Sequence, residues 1–123
     1  MQQPQVKAII LLGHGSRDPL WRRPIEAVAD RLKRNHPGLP VSCAYLELEQ
    51  PDVATAAAQL VGAGAQRITM VPMFLGTGKH ARDDLPHLLE ALRQSHPDVR
   101  FELRRPVGED PRVLDLLAAI AVE

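Results

Sequence analysis

The sequence predicts an α/β fold: a three-layer sandwich in which helices cover both faces of a four-stranded parallel sheet of order 2-1-3-4. Two observations carry that expectation. Apolar runs such as "KAIILL", bounded by Gly13, suit strands buried on both faces of a parallel sheet. Four such runs alternate with four helical segments, and strands running parallel need a crossover between them, usually a helix that covers a sheet face. With 123 residues and 45% hydrophobic content, residues 1–123 are expected to form a single domain around one core.

The elements follow in order. After "KAIILL", Asp18-Pro19 opens a helix, the carboxylate capping free N–H groups and the proline taking the first helical position. Ile25, Val28, Ala29 and Leu32 then recur at helical spacing, and His36-Pro37-Gly38 closes the segment. "VSCAYLEL" reads as the second strand, and Pro51 starts a second helix through "DVATAAAQLV" that the glycines of "GAGA" end. "RITMVPMFL" is the third strand; Pro72 cannot donate to a ladder, so regular pairing should end near Val71. "DDLPHLLEALRQSHP" predicts a third helix with aspartate caps and Pro86 in its first turn, followed by the strand "VRFELR" and a last helix after Asp110-Pro111. "LKRNHPGLPVSC" and "LRQSHPDVRFEL" echo one another as helix, His-Pro, turn and strand, which makes His36 and His96 helix-end residues.

Composition removes several classes of function. Lys and Arg total 15, as do Asp and Glu, and aromatics are 3% of the chain, so neither nucleic acid nor an anionic membrane is an expected partner. "MQQPQVK" lacks a basic and an apolar leader region, and no apolar run approaches the roughly 20 residues of a bilayer span. A cytoplasmic location is expected. The only cysteine, Cys43, is expected to pack as a small hydrophobe.

In open parallel sheets ligands bind beyond the carboxyl ends of the strands, where strand order reverses. His14 follows the first strand, Glu47 lies near the end of the second, and His80 follows the third in "GTGKHARDD". In a flavodoxin-like order these three strands are neighbours. Two imidazoles and a carboxylate on one rim can hold a divalent transition metal with coordination positions left open. Plainer readings stand beside this one: His14 as a turn residue or a donor in a phosphate-cradling loop, His80 as an exposed loop histidine, Glu47 as a surface charge. Glu49, two residues on and on the same face of a strand, competes with Glu47. Arg17, Arg22, Arg23, Lys79 and Arg82 give the same rim a basic character suited to carboxylate or phosphate ligands. Arg22 and Arg23 read better as a solvated helix face.

Four stretches, "LLGHGSRDP", "AYLELEQPD", "VPMFLGTGKHARDDLP" and "RPVGEDPRVLDLL", occur in the order and at the spacing of a known family. Through them the chain resembles the short single-lobe sirohydrochlorin cobaltochelatases of the class II tetrapyrrole chelatases. The resemblance implies a chelatase-like lobe that inserts a divalent metal into sirohydrochlorin, in cobalamin or siroheme biosynthesis. Cobalt is the metal it favours, with Fe(II) or Ni(II) as alternatives. It further implies that His14 and His80 bind the metal and assist pyrrole deprotonation, and that Glu47 is the acidic site residue. The substrate's carboxylates would fall to Arg17, Lys79 and Arg82 with Ser16 beside them, and Phe74 and Leu75 would face the macrocycle. The metal is then substrate; no organic cofactor and no iron-sulfur cluster are expected. Longer members of the family join two lobes in one chain, so a homodimer is expected, with the apolar "VLDLLAAIAVE" as interface or as a core-facing stripe. Two other functions compete. One is a non-catalytic metal-binding or delivery module; the other is a phosphohistidine-type phosphoryl-transfer enzyme, whose family has arginine where this chain has Gly13.

Overall fold

The computed structural model describes residues 5–123. Strands β1 (Lys7–Gly13), β2 (Val41–Tyr45), β3 (Arg67–Pro72) and β4 (Arg100–Leu103) form one parallel sheet in the order β2-β1-β3-β4. Helices α1 (Arg23–Asn35), α2 (Val53–Gly62) and α3 (Lys79–Ser95) are the crossovers, and α4 (Pro111–Ala121) follows β4. The expected strand order is the observed one.

Alternation along the strands divides the core in two. Ala8, Ile10 and Leu12 of β1, Ile68 and Met70 of β3 and Phe101 of β4 face α2 and α3, packing with Ala56, Ala57, Leu60, Leu85 and Leu92. Leu11 and Tyr45 face the other way, onto Ile25 and Ala29 of α1. Each fully buried Leu, Ile, Met or Phe side chain in the larger cluster contributes about 1.5–3 kcal/mol. Toward β4 the α1 side carries polar residues instead, including an Arg67–Glu102 ion pair at 2.9 Å. Helix α4 buries none of its residues; its main neighbour is the 3₁₀ turn Val107–Glu109.

Register brings the carboxyl ends of three strands level. Gly13 lies opposite Tyr45 and Leu12 opposite Pro72, so the chain leaves β1, β2 and β3 at one rim. Pro72 is paired, one residue beyond the expected end. Its missing N–H costs nothing there, because the neighbouring N–H of Met73 serves β1, donating to the Leu12 carbonyl at 2.8 Å, while β4 pairs only as far as Met70.

Several element ends differ from the sequence reading. Asp18-Pro19 opens a 3₁₀ turn, Pro19–Arg22, with Asp18 accepting from Leu20 N–H at 2.9 Å, and α1 begins only at Arg23. Strand β2 stops at Tyr45: the Leu46 N–H still makes the ladder bond to Gly13, but the next N–H, of Glu47, goes to the His14 carbonyl and breaks the alternation. Helix α2 starts at Val53 behind an Asp52 cap that accepts from Thr55 N–H at 2.8 Å. Helix α3 begins at Lys79, before the aspartates expected to cap it, so Pro86 sits inside the helix. Both Pro86 and Arg82, whose carbonyl it leaves without a helical partner, are exposed to water. Strand β4 is shorter at both ends than "VRFELR".

The echo is conformational. His36 ends α1 at φ −134°, ψ 69° and His96 ends α3 at φ −133°, ψ 70°, each N–H donating to the leucine carbonyl four residues back.

Candidate functional site

The first histidine loop is fastened to the loop after β2. The Gly13 carbonyl accepts from Leu46 N–H at 3.0 Å and the His14 carbonyl from Glu47 N–H at 3.1 Å. Gly15, at φ +98°, passes so close that a Cβ there would overlap the Glu47 carbonyl oxygen. The His14 ring stacks on Phe74, with centroids 3.8 Å apart and planes 17° from parallel. Stacking occupies a ring face and leaves the nitrogens at the edge, where a metal or a proton is met.

The two acidic candidates part company. A tight turn at Leu48, φ +63°, in which Glu49 N–H donates to the Glu47 carbonyl at 2.8 Å, separates them. Strand alternation therefore does not put them on one face. Glu47 is exposed, whereas the Glu49 side chain is only 7% exposed. Glu49 Oε1 accepts from Ser16 N–H at 2.8 Å, and Oε2 stands 3.2 Å from Arg22 Nε, an ion pair not aligned as a hydrogen bond. Arg22, expected on a solvated face, is instead drawn inward by that carboxylate.

His80 and Lys79 occupy the first turn of α3, both exposed, behind a Gly78 N-cap that provides no side-chain bond. His80 is thus a helix residue and not a loop residue. Arg82 folds back to donate to the Thr77 carbonyl at 3.2 Å, and Arg17 is exposed. Of the apolar pair, Leu75 is 68% exposed, but Phe74 is 2% exposed. Phe74 is packed against His14 and Leu75 projects outward, and both line one cavity. Their segment is pinned by Gly108, whose N–H donates to the Phe74 carbonyl at 2.9 Å and whose missing Cβ admits the Leu75 carbonyl.

A cavity of about 530 Å³ opens at this corner, walled by His14, Trp21, Tyr45, Glu49, Met73 and Leu75. Its size and mainly apolar wall are those of a small-molecule site. Burial pushes the Tyr45 phenol up to about 12, so it stays protonated at neutral pH. Trp21 and Met73 were not singled out by the sequence; a lone tryptophan beside the histidine motif, 73% exposed in the fold, was the available signal for the first. Among the described residues, no three His, Cys, Asp or Glu side chains are grouped as a ready metal cage. No helix among them is long and apolar enough to cross a membrane. Cys43 is half-buried beside α1, its thiol 3.9 Å from the Ile25 carbonyl, and burial raises its pKa.

The chain is similar to a sirohydrochlorin cobaltochelatase of Methanocaldococcus jannaschii, 27% identical over 91% of this chain and 95% of the relative. A sirohydrochlorin ferrochelatase of Bacillus subtilis is 33% identical over 88% of this chain and 41% of its own length. Among solved structures, a putative cobalamin biosynthesis CbiX protein from Marinobacter aquaeolei VT8 superposes with a TM-score of 0.82 at 33% identity, over 94% of this chain and 93% of that one. The sirohydrochlorin chelatase from Bacillus subtilis subspecies spizizenii, solved in complex with cobalt, superposes at 0.77 with 28% identity, over 92% of this chain and 48% of that one. Residues 8–123 match the CbiX family model, and the chain belongs to the CbiX family.

Proposed function

We propose that this protein inserts a divalent metal, cobalt foremost, into sirohydrochlorin. The observation that carries the reading is the corner itself: an imidazole held by stacking at the mouth of an apolar-walled cavity, on a chain of the CbiX family. His14 and His80 hold the incoming metal, and Glu47, whose backbone is bonded to that of His14, is the exposed carboxylate next to the first of them. Few protein ligands suffice, because the macrocycle supplies four nitrogens of its own. The metal is cargo, and a closed cage would hold it back.

Insertion displaces two pyrrole N–H protons as the metal–nitrogen bonds form. The acceptors are the Glu47 carboxylate and the imidazoles of His14 and His80 once the metal has passed from them to the macrocycle, each able to pass its proton to water. Trp21, Met73 and Leu75 give the ring an apolar wall, while Arg17, Lys79 and Arg82, with Ser16, face its carboxylates. Iron or nickel in place of cobalt follows from the same ligands, since affinity order alone does not select among them. We place this activity in the cytoplasm, in a chain that folds as one domain. A homodimer belongs to the same proposal: α4 leaves Leu114, Leu116 and Ile120 half or more exposed, and the cobalt-complexed chelatase is about twice this chain's length.

The test follows sirohydrochlorin absorbance with Co(II), Fe(II) and Ni(II), with and without the protein. An accelerated spectral change that His14→Ala and His80→Ala each abolish is the expected result. Tight metal binding with insertion no faster than the protein-free control overturns it in favour of a delivery module.

A further inference from the structure

We propose that Glu49 is a positioning residue for His14: its carboxylate clamps the histidine loop and the following 3₁₀ turn in place, and it does not itself take the metal. The inference rests on the metal-insertion reading above. Four ties hold the loop from Gly13 to Ser16 against the segment after β2. Three involve the backbone: the Gly13 carbonyl bonded to Leu46 N–H, the His14 carbonyl bonded to Glu47 N–H, and the close passage of Gly15 over the Glu47 carbonyl. The fourth is made by a side chain, that of Glu49.

Both of its oxygens are engaged. Oε1 accepts from Ser16 N–H at 2.8 Å, and Oε2 faces Arg22 Nε at 3.2 Å with both of those atoms out of contact with water. A carboxylate this buried is tolerated because it is paired, and a carboxylate so paired cannot turn to a metal without stranding the Ser16 amide and leaving the buried Arg22 Nε to the more distant Glu26 carboxylate at 3.6 Å. Glu47, by contrast, is exposed and is held only through its backbone. The clamp also reaches the cavity wall, since Trp21 immediately precedes Arg22 in the 3₁₀ turn. Removing the Glu49 carboxylate therefore loosens the loop of His14 and the turn of Trp21 together while leaving every proposed ligand in the chain.

The experiment compares Glu49→Ala, Glu49→Gln and His14→Ala in the full chain, reading the visible spectrum of Co(II) titrated alone, then kcat and KM for insertion into sirohydrochlorin. Glu49→Ala is expected to bind Co(II) within about threefold of wild type, with an altered spectrum, and to lose about tenfold in kcat with a smaller change in KM. Glu49→Gln, which can still accept from Ser16 N–H, is expected to regain most of that loss. A wild-type spectrum and kcat in Glu49→Ala overturns the proposal. So does loss of Co(II) binding in both Glu49 variants as complete as in His14→Ala, the mark of a direct ligand. Should Glu49→Ala fail to fold, Arg22→Leu removes the partner of Oε2, and an unchanged spectrum and kcat there is equally fatal. If the wild type binds Co(II) but inserts none, the metal-insertion reading fails instead, and the Co(II) spectra of the variants still decide the role of Glu49.

Discussion

The two histidines proposed for one chemistry sit in opposite kinds of corner. His14 rests on a buried phenylalanine, in a loop tied by two backbone hydrogen bonds, a close glycine passage and a clamped carboxylate. His80 projects from the first turn of a helix whose cap is a glycine without a side-chain bond, preceded by Gly76 and Thr77. On the proposed reading, one donor is held by its surroundings before the metal arrives, and the other is an exposed side chain in the first turn of a helix. An enzyme that must both take a metal and release it into a larger ligand has use for that asymmetry, since two rigid ligands would retain the ion.

The largest expected effect breaks the fixed corner. In Gly15→Ala the new Cβ meets the Glu47 carbonyl and the residue is held at φ +98°, a conformation costing an L-residue about 1–2 kcal/mol before any overlap is relieved. The loop must shift, and a displacement of about 1 Å in a reacting group costs on the order of 100-fold in rate. Insertion kinetics and the unfolding midpoint should fall together. Gly76→Ala, at a position where a Cβ meets nothing within 4 Å, is the control and should change both far less. Equal losses in the two variants would erase the contrast between the corners.

A smaller effect is expected from removing the surface on which His14 rests. Phe74→Leu keeps the site apolar but forfeits a stack of about 0.5–1.5 kcal/mol and leaves space beneath the imidazole. The expected loss is about tenfold in kcat with Co(II) affinity little changed, read by insertion kinetics beside a Co(II) titration. A loss of Co(II) affinity as large as the loss in rate would mean that the stack creates the ligand instead of aiming it.

What the sequence made legible follows the same division. Strand order, the placement of His14 at the tip of β1 and the Asp110 cap were readable, because branched apolar runs and Asp-Pro pairs are local signals. The start of α3 was not readable: Gly78-Lys79 lacks the Ser, Thr, Asp or Asn that marks an N-cap, so His80 was read as a loop residue. Nor could spacing separate Glu47 from Glu49. Two residues apart in a strand they share a face, and only the left-handed Leu48 between them turns one inward. The burial of Phe74 beside an exposed Leu75 is hidden for a related reason, since alternation says which residues differ in direction but not which of the pair is buried.

The exposed corner can be capped as well. Gly78→Ser supplies the missing cap to α3, worth a few tenths of a kcal/mol over glycine, about 0.3. The unfolding midpoint should rise slightly, and kcat should fall no more than about twofold, because His80 keeps its place in the helix. A tenfold loss would show that the freedom of this turn matters as much as the fixity of the other.

The smallest effect lies away from both corners, at the start of α4, and shows itself with pH. Asp110 accepts from Arg112 N–H at 2.9 Å and pairs with its guanidinium at 2.7 Å, which holds the carboxyl down at about 2 against an ordinary value of 3.8. Between those two values the unfolded chain binds more protons than the folded one, so stability rises with pH there. The contribution is complete above pH 3.8 and is lost as the pH falls through about 2. Because the Arg112 partner is exposed, salt should weaken it further. In Asp110→Ala the thermal midpoint should therefore sit slightly below wild type at pH 7 and converge with it toward pH 2. Insertion activity at pH 7 should be unaltered, since α4 contributes no residue to the cavity beside His14. A rate change in this variant would instead tie the exposed α4 to the site, as it would if a second copy of the chain docked there.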